Sequence, residues 1–391
     1  MRIEDFKLER WMSRWETEVS YDIAESGILP MSVNDLLDLL PAGERAATQD
    51  RLLDLPLGYS EARGTLALRQ ALAATYENTT ADNILITTGA IEANYLLFNV
   101  LLQSGDEIVT IDPAYQQVQS VPKAIGADVK YWRIRAEDGF RFDLEDFERV
   151  ITPRTKLVSI NTPHNPTGAI LTDEELQHVY DVAASLGAMV MSDEAYRWLD
   201  IPGGDQMPAP MRNRGDLGIS VGTVSKPFGV PGLRIGWIVA PEPIIQQCWA
   251  MRDYISLSPG KLNDALALIA VENRDAIRAR THRIVAANMV IADAWFAENA
   301  DLASWVRPRA GLLALMRYHL DIPSLELADL LAERYSVMLA PGSAFGFEQH
   351  LRIGVGQNPE IFAEGLKRTR QCFDDLLASG VKRLDPTAPG A

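Results

Sequence analysis

Four polar segments of this chain carry side chains that could bind or activate a small anionic molecule. They are NTPHNPTG at 161–168, SDEAYRWL at 192–199, TVSKPFGVPGLRIGW at 223–237 and HLRIGVG at 350–356. Together they supply an amine, carboxylates, a phenol, amides and guanidinium groups. An amine can attack a carbonyl carbon, and a guanidinium binds phosphate or carboxylate through two parallel hydrogen bonds. Taken singly, each segment also fits a structural role as a turn, a helix cap or an ion-pair partner.

The hydrophobic pattern places these segments at the ends of strands. From about residue 58 to residue 264, short apolar runs alternate with amphipathic helices, and a capping box at Thr172 and Glu175 begins one helix. The predicted strands are 83–88, 107–112, 156–161, 188–193, 219–225 and 235–240. Because most of them are apolar throughout, they predict an α/β fold with a mainly parallel sheet covered on both faces. Such sheets bind ligands at the carboxyl ends of their strands.

A second, smaller α+β unit is predicted after the sheet. Its elements are a long helix near 275–299, a strand at 311–318, a helix at 324–335, two short strands in SVMLA and HLRIGVG, and a final helix. We expect the N-terminal helix around residues 5–16 to pack against it. The predicted domains are a large one at 46–284 and a small one at 1–45 plus 285–391. The segment from Asp385 onward reads as a disordered tail.

Composition and charge limit the possible partners. The 391 residues contain 37 Lys and Arg against 53 Asp and Glu, a net charge of −16 that repels nucleic-acid phosphates and anionic lipid. The two cysteines, Cys248 and Cys372, have no metal-ligand spacing, and the sequence shows neither a signal core nor a membrane-spanning apolar run. We therefore expect a soluble, cytoplasmic protein without nucleic-acid, membrane or metal partners.

In their order and spacing, the four segments resemble the fold-type-I aminotransferases of class I and II. The resemblance extends from about Gly58 to Arg370, and its most specific part is S-K-x-x-G-x-x-G-x-R, in which Lys226 and Arg234 are eight residues apart. It implies an enzyme that uses pyridoxal 5'-phosphate (PLP), with a large domain built on a mainly parallel sheet and a smaller α+β domain. It also implies an amino-acid substrate and a homodimer with shared active sites.

The resemblance implies a role for each residue around the cofactor ring. Lys226 is expected to bind the cofactor covalently and, once displaced by substrate, to move a proton. Asp193 is expected to pair with the pyridine nitrogen and keep it protonated, while Tyr196 and Asn165 hydrogen-bond the phenolic oxygen. Tyr115 matches the aromatic residue that stacks on the ring.

The remaining expected contacts bind the cofactor phosphate and the substrate. The phosphate is assigned to the start of a helix and to nearby cationic and hydroxyl groups, with one tyrosine from the partner subunit. These residues are Gly89, Ala90, Ile91, Thr223, Ser225, Arg234 and, across the interface, Tyr59. Arg352 is expected to bind the substrate α-carboxylate, with Asn165 and the segment around Gly27 also contacting the substrate. His164 reads as a loop residue near the cofactor, not as a catalyst.

The reaction stays open because one PLP fold supports several reactions. The motifs favour transfer of an amino group to a keto acid, without identifying donor, acceptor, stereochemistry or pathway. A less specific resemblance, in LERWMSRWE, SYDIAESG and RDYISLSPGKLND, points to the capreomycidine-synthase-like branch, and thus to a cyclase or lyase acting on arginine or a hydroxylated arginine. Glu9 is either a carboxylate for a guanidinium or an exposed helix residue.

A transcription regulator is disfavoured because little chain precedes the sheet and the charge is wrong for DNA.

Overall fold

A seven-stranded sheet organises the larger part of the structure, a computed structural model that describes residues 2–385. Residues 386–391, most of the predicted disordered tail, lie outside the described residues. The strands are β1 Tyr21–Asp22, β2 Ile84–Thr87, β3 Glu107–Asp112, β4 Asp128–Arg133, β5 Thr155–Asn161, β6 Met189–Asp193, β7 Gly218–Thr223, β8 Gly236–Val239, β9 Ala303–Trp305, β10 Leu313–Tyr318, β11 Val337–Met338, β12 Ala340–Pro341 and β13 His350–Gly354.

Helices follow most of the strands and pack on the sheets. They are α1 Lys7–Trp15, α2 Val33–Leu37, α3 Ala42–Leu53, α4 Leu66–Ala73, α5 Gly89–Leu101, α6 Gln117–Ile125, α7 Leu144–Val150, α8 Asp173–Ser185, α9 Glu242–Arg252, α10 Lys261–Glu272, α11 Arg274–Glu298, α12 Ser324–Tyr335 and α13 Pro359–Ala378. Within residues 2–385, no helix is both long enough and apolar enough to cross a lipid bilayer.

The large sheet has the order β2-β8-β7-β6-β5-β3-β4 and is mainly parallel, as predicted. Only β8 runs antiparallel to its neighbours β2 and β7. Successive residues of β2 enter different cores, since Ile84 and Ile86 pack on one face and Leu85 on the other. The predicted burial of both faces is therefore confirmed. The sequence reading missed β4, because this edge strand is only partly buried and alternates polar with apolar residues.

A four-stranded antiparallel sheet of order β12-β13-β10-β9 forms the second unit. The predicted single strand SVMLA is divided into β11, which pairs with β1, and β12, which pairs with β13. The N-terminal helix packs here as predicted: the indole nitrogens of Trp11 and Trp15 donate to Asp329 at 2.9 and 3.0 Å. α1 is thereby held in place at the edge of this unit.

Helix α11 runs without interruption past residues 284 and 285, where one domain boundary was predicted. Ile277, near its start, packs with the core of the large sheet, whereas Val285 and Met289 pack with the core of the second unit. The predicted domain boundaries, between residues 45 and 46 and between residues 284 and 285, stay predictions. The second of them lies within a helix that the two cores share.

The predicted capping box of α8 is present, and it provides a test of the local structure. Thr172 Oγ1 accepts from the Glu175 backbone N–H at 3.1 Å, and Glu175 Oε2 accepts from the Thr172 N–H at 2.8 Å. We expect Thr172→Ala to lower the free energy of unfolding by about 1 kcal/mol in urea denaturation of the apoprotein. Thr172→Ser, which keeps the hydroxyl, should stay close to wild type. Equal stability of the two variants would contradict this role of the cap.

Candidate active site

A cavity of about 370 Å³ opens at the carboxyl ends of β5, β6 and β7. These strands are adjacent in the sheet, so their last residues, Asn161, Asp193 and Thr223, lie in one row. All but three of the residues predicted from the sequence line this cavity. Those lining it are Ala90, Ile91, Tyr115, Asn165, Asp193, Tyr196, Thr223, Ser225, Lys226, Arg234 and Arg352.

Lys226 follows β7 and extends its amine into the cavity. Its Nζ donates to Ser26 Oγ at 2.7 Å and lies 3.3 Å from Glu25 Oε1. Burial is the largest single influence and disfavours the charged amine, but the Glu25 carboxylate and the Tyr196 hydroxyl together outweigh it and raise the pKa of Lys226 above its ordinary value. Neither Glu25 nor Ser26 was singled out as a partner of the lysine, because their proximity depends on a fold that joins positions some 200 residues apart.

Asp193 ends β6 as a buried carboxylate. Its Oδ2 accepts from Asn94 Nδ2 at 2.8 Å and its Oδ1 from the Ala195 N–H at 3.0 Å. Burial raises its pKa, and these two hydrogen bonds offset the effect only in part. No cationic side chain of residues 2–385 pairs with it. A protonated ring nitrogen would supply the missing counter-charge. Asn94, which sequence reasoning missed, lies on α5 and leaves its buried Oδ1 without a partner.

The first turn of α5 and the loop after β7 form a pocket suited to a phosphate. Gly89 has φ +75°, and a Cβ there would lie 2.7 Å from Arg234 Nη2, so only glycine permits this approach. Thr223 Oγ1 donates to Ser225 Oγ at 2.9 Å or to the Ile235 carbonyl oxygen at 2.9 Å. Helix N–H groups, hydroxyls and a guanidinium together match the charge and acceptors of a phosphate. Gly89 itself does not line the cavity.

Arg352 projects from β13 and is 2% exposed. Its Nη2 donates to the Ala24 carbonyl oxygen at 3.0 Å and its Nη1 to Asn165 Oδ1 at 3.2 Å, while Nε has no partner. The guanidinium forms no ion pair with a carboxylate of the described chain. A buried cation of this kind is a fitting partner for the carboxylate of a ligand.

The hydroxyls of Tyr115 and Tyr196 complete the cavity wall, and the imidazole of His164 supports it. Tyr115 donates through its hydroxyl to Glu9 Oε1 at 2.7 Å, so Glu9 belongs to the cavity wall as well as to the exposed side of α1. Burial raises the pKa of Tyr196. His164 lies buried between Thr167 Oγ1 and the Pro113 carbonyl oxygen, and burial lowers its pKa to about 3. A neutral His164 therefore supports the loop, in line with its sequence reading.

Gly27 and Tyr59 lie outside the cavity wall. Gly27 is next to it, and its N–H donates to Glu25 Oε1 at 2.8 Å. Tyr59 is 86% exposed and borders a separate depression formed by residues 57–59, 256 and 258–263. Its expected contact with a phosphate thus requires a second subunit.

Fold and cavity together define a PLP-dependent enzyme of fold type I. The chain belongs to the family described as aminotransferase class I and II, whose sequence model matches residues 26–368. It is 33% identical over 361 residues to the capreomycidine synthase of Streptomyces vinaceus, covering 90% of each chain. It is 29% identical over 371 residues to the arginine–pyruvate transaminase of Pseudomonas aeruginosa, covering 90% of this chain and 91% of the relative.

Solved structures with the same fold include both an aminotransferase and a cyclase. A PLP-dependent aminotransferase from Streptococcus suis matches with a TM-score of 0.90 at 30% identity, covering 96% of this chain and 99% of that chain. The PLP-dependent cyclase OrfR matches with a TM-score of 0.86 at 29% identity, covering 96% and 98%. The protein is therefore a PLP-dependent aminotransferase or cyclase.

The described side chains fit this cofactor, because the cavity combines a phosphate pocket, a buried carboxylate without a counter-charge and a single lysine. When bound, PLP supplies an electron sink that stabilises negative charge at the substrate Cα. The amine of Lys226 could then accept or donate the proton at Cα, and the carboxylate of Asp193 could hold a proton on the ring nitrogen.

Reductive labelling tests the assignment of the lysine. Borohydride treatment of PLP-loaded protein, followed by peptide mapping, should place the cofactor mass on Lys226, since no other lysine lines the cavity within residues 2–385. Lys226→Ala should give no cofactor-labelled peptide. Labelling of a different lysine in the wild-type protein would remove the central assignment.

Proposed function

We propose that the protein transfers the amino group of an α-amino acid with a cationic side chain to a keto acid. The observation that carries the proposal is the arrangement of charge in the cavity. The buried guanidinium of Arg352 lacks a carboxylate partner, and Lys226 lines the same cavity. A carboxylate bound to Arg352 would bring the adjacent Cα to the amine that must move its proton.

The proposed residue roles follow from these positions. Lys226 binds the cofactor and moves the Cα proton, and Asp193 keeps the ring nitrogen protonated. Tyr196 and Asn165 hydrogen-bond the phenolic oxygen, and Tyr115 stacks on the ring. The phosphate is bound by Gly89, Ala90, Ile91, Thr223, Ser225 and Arg234, whereas Arg352, with Asn165 and the segment at Gly27, binds the substrate.

Helix α1 supports a cationic substrate side chain. Leu8, Glu9 and Met12 of α1, with Glu16 directly after its last residue, line the cavity at helical spacing, so this face presents two carboxylates to the ligand. Every cationic side chain that lines the cavity within residues 2–385 already has a proposed role. The cavity thus pairs a cationic end with an acidic wall. An amino acid with a guanidinium matches both, and one relative is named an arginine–pyruvate transaminase.

A homodimer is part of the proposal. Tyr59 borders the same depression as Leu57, which is 81% exposed, and Tyr254, two residues before the segment on the other side of that depression, is 92% exposed. An apolar surface of this kind is typical of a subunit interface.

A cytoplasmic location is also proposed, in keeping with the free, buried thiols of Cys248 and Cys372.

Sedimentation analysis and cofactor titration test the shared site. The wild-type protein should sediment as a dimer. Tyr59→Phe should remain dimeric but bind PLP about tenfold more weakly or worse, because a hydrogen bond to a charged group contributes roughly 1.5–3 kcal/mol. A fully active monomer would contradict the proposed dimer, and unchanged PLP affinity in Tyr59→Phe would remove the role of this hydroxyl.

A second candidate is a cyclase or lyase that eliminates and closes a ring on arginine or a hydroxylated arginine. The likeness to a capreomycidine synthase and to a PLP-dependent cyclase favours it. The two candidates differ in their need for a second substrate. Amino transfer leaves the amino group on the enzyme until a keto acid removes it, whereas cyclisation regenerates the enzyme in each turnover.

Turnover without a keto acid separates the two reactions. PLP-loaded enzyme is incubated with arginine, hydroxylated arginines and a neutral amino acid of similar length, and the products are quantified by mass spectrometry. We expect at most one equivalent of keto acid per site, with turnover resuming when pyruvate or another keto acid is added. Loss of water or ring closure beyond one equivalent would replace the first candidate with the second. Equal use of the neutral amino acid would contradict a cationic substrate.

A further inference from the structure

A short N-terminal segment, residues 24–28, lies directly across Lys226. The Ile28 N–H donates to the Lys226 carbonyl oxygen at 3.2 Å, and the lysine Nζ donates back to Ser26 Oγ at 2.7 Å. On the other side, a Cβ at Gly354 would overlap the Glu25 carbonyl oxygen. The backbone of the segment is therefore confined between the lysine and β13.

We propose that Glu25 is a positioning residue that holds the amine of Lys226 at the cavity wall and keeps it as an ammonium in the cofactor-free protein. The proposal rests on the role of Lys226 proposed above, and it assigns a function to Glu25, a residue of the segment SYDIAESG to which the resemblance gives no role.

The carboxylate of Glu25 is fixed by its own loop. Its Oε1 accepts from the Gly27 N–H at 2.8 Å and lies 3.3 Å from Lys226 Nζ. Because the backbone N–H holds the oxygen in place, the ion pair requires less ordering of a free side chain than an ordinary surface pair. The Lys226 ammonium lowers the pKa of Glu25 to about 2 despite burial, which agrees with a pair in which both groups are charged.

Other charged and titratable groups face this pair. The phenol of Tyr196 adds to the stabilisation of the ammonium, and the guanidinium of Arg352 opposes it. Asp22 faces Glu25, and burial together with the Glu25 charge raises the pKa of Asp22 to about 6. Of these groups, Glu25 contributes the carboxylate within hydrogen-bond distance of the amine. It therefore has the largest influence on whether Lys226 carries a proton.

The pairing has a direct consequence for the work of Lys226. An ammonium cannot act as a nucleophile, so the pair sets the pH at which the lysine can bind the cofactor. Once substrate has displaced the lysine and the free amine has accepted the proton of the substrate Cα, the same pair holds the resulting ammonium in a fixed place beside Ser26. From there it can donate a proton to the substrate, a step that both candidate reactions require.

Amine labelling of the apoprotein tests the proposal without cofactor or activity. Trace acetic anhydride is reacted at a series of pH values, and peptide mapping gives the midpoint at which Lys226 becomes reactive. Glu25→Gln keeps an oxygen for the Gly27 N–H and removes only the charge, so the midpoint should fall by about 1–3 pH units. Ser26→Ala removes the hydroxyl but keeps the charge of Glu25, and it should lower the midpoint by less. Glu16→Gln, a cavity carboxylate with no contact to Lys226, should leave it unchanged.

The outcomes separate this proposal from the proposed function. An unchanged midpoint in Glu25→Gln, or an equal fall in Ser26→Ala, overturns it. If Glu25→Gln does not fold by circular dichroism, Glu25→Asp keeps the charge one methylene further away. The midpoint of Lys226 reactivity in Glu25→Asp should then lie between the midpoint in Ser26→Ala and that of a free lysine. A midpoint unchanged from wild type overturns the proposal. Failure of borohydride labelling at Lys226, with the midpoint shift intact, would remove the cofactor role and leave the ion pair.

Discussion

The organisation of this protein depends on one electrostatic constraint, a buried carboxylate at the end of β6 without a counter-charge in the described chain. Asp193 can be accommodated there because Asn94 and the Ala195 N–H satisfy its oxygens. Two hydrogen bonds do not replace a cation, and burial still raises its pKa. The site is therefore built to be completed by a ligand that carries a proton, and the parallel sheet is what brings the rest of the cavity to that point.

The other charges of the cavity are distributed around Asp193 in a consistent way. Cationic groups lie at two places of the cavity, with Arg234 beside the start of α5 and Arg352 buried on β13. Carboxylates lie on α1 and on the segment that contains Glu25. Since opposite charges attract over several ångströms in a partly buried site, this distribution orients an amino acid before any reaction begins.

The smaller unit is essential to this arrangement. It contributes Arg352, and its packing with Trp11 and Trp15 holds α1 over the cavity. Glu9 then supports Tyr115, which belongs to the large sheet's side of the site. A cavity formed by two packed units in this way responds to changes in either one.

The sequence alone determined the mainly parallel sheet, the cap of α8 and the family, because apolar periodicity and the S-K-x-x-G-x-x-G-x-R motif are local patterns. Most of the site residues that it predicted also line the cavity. Tertiary structure decided what no local pattern carries: the contact of Glu25 and Ser26 with Lys226, the support of Asp193 by Asn94 and the link from Glu9 to Tyr115. These contacts join positions about 100 to 200 residues apart. The packing of α1, α5 and the 24–28 segment against the sheets sets their distances, so spacing along the chain could not predict them.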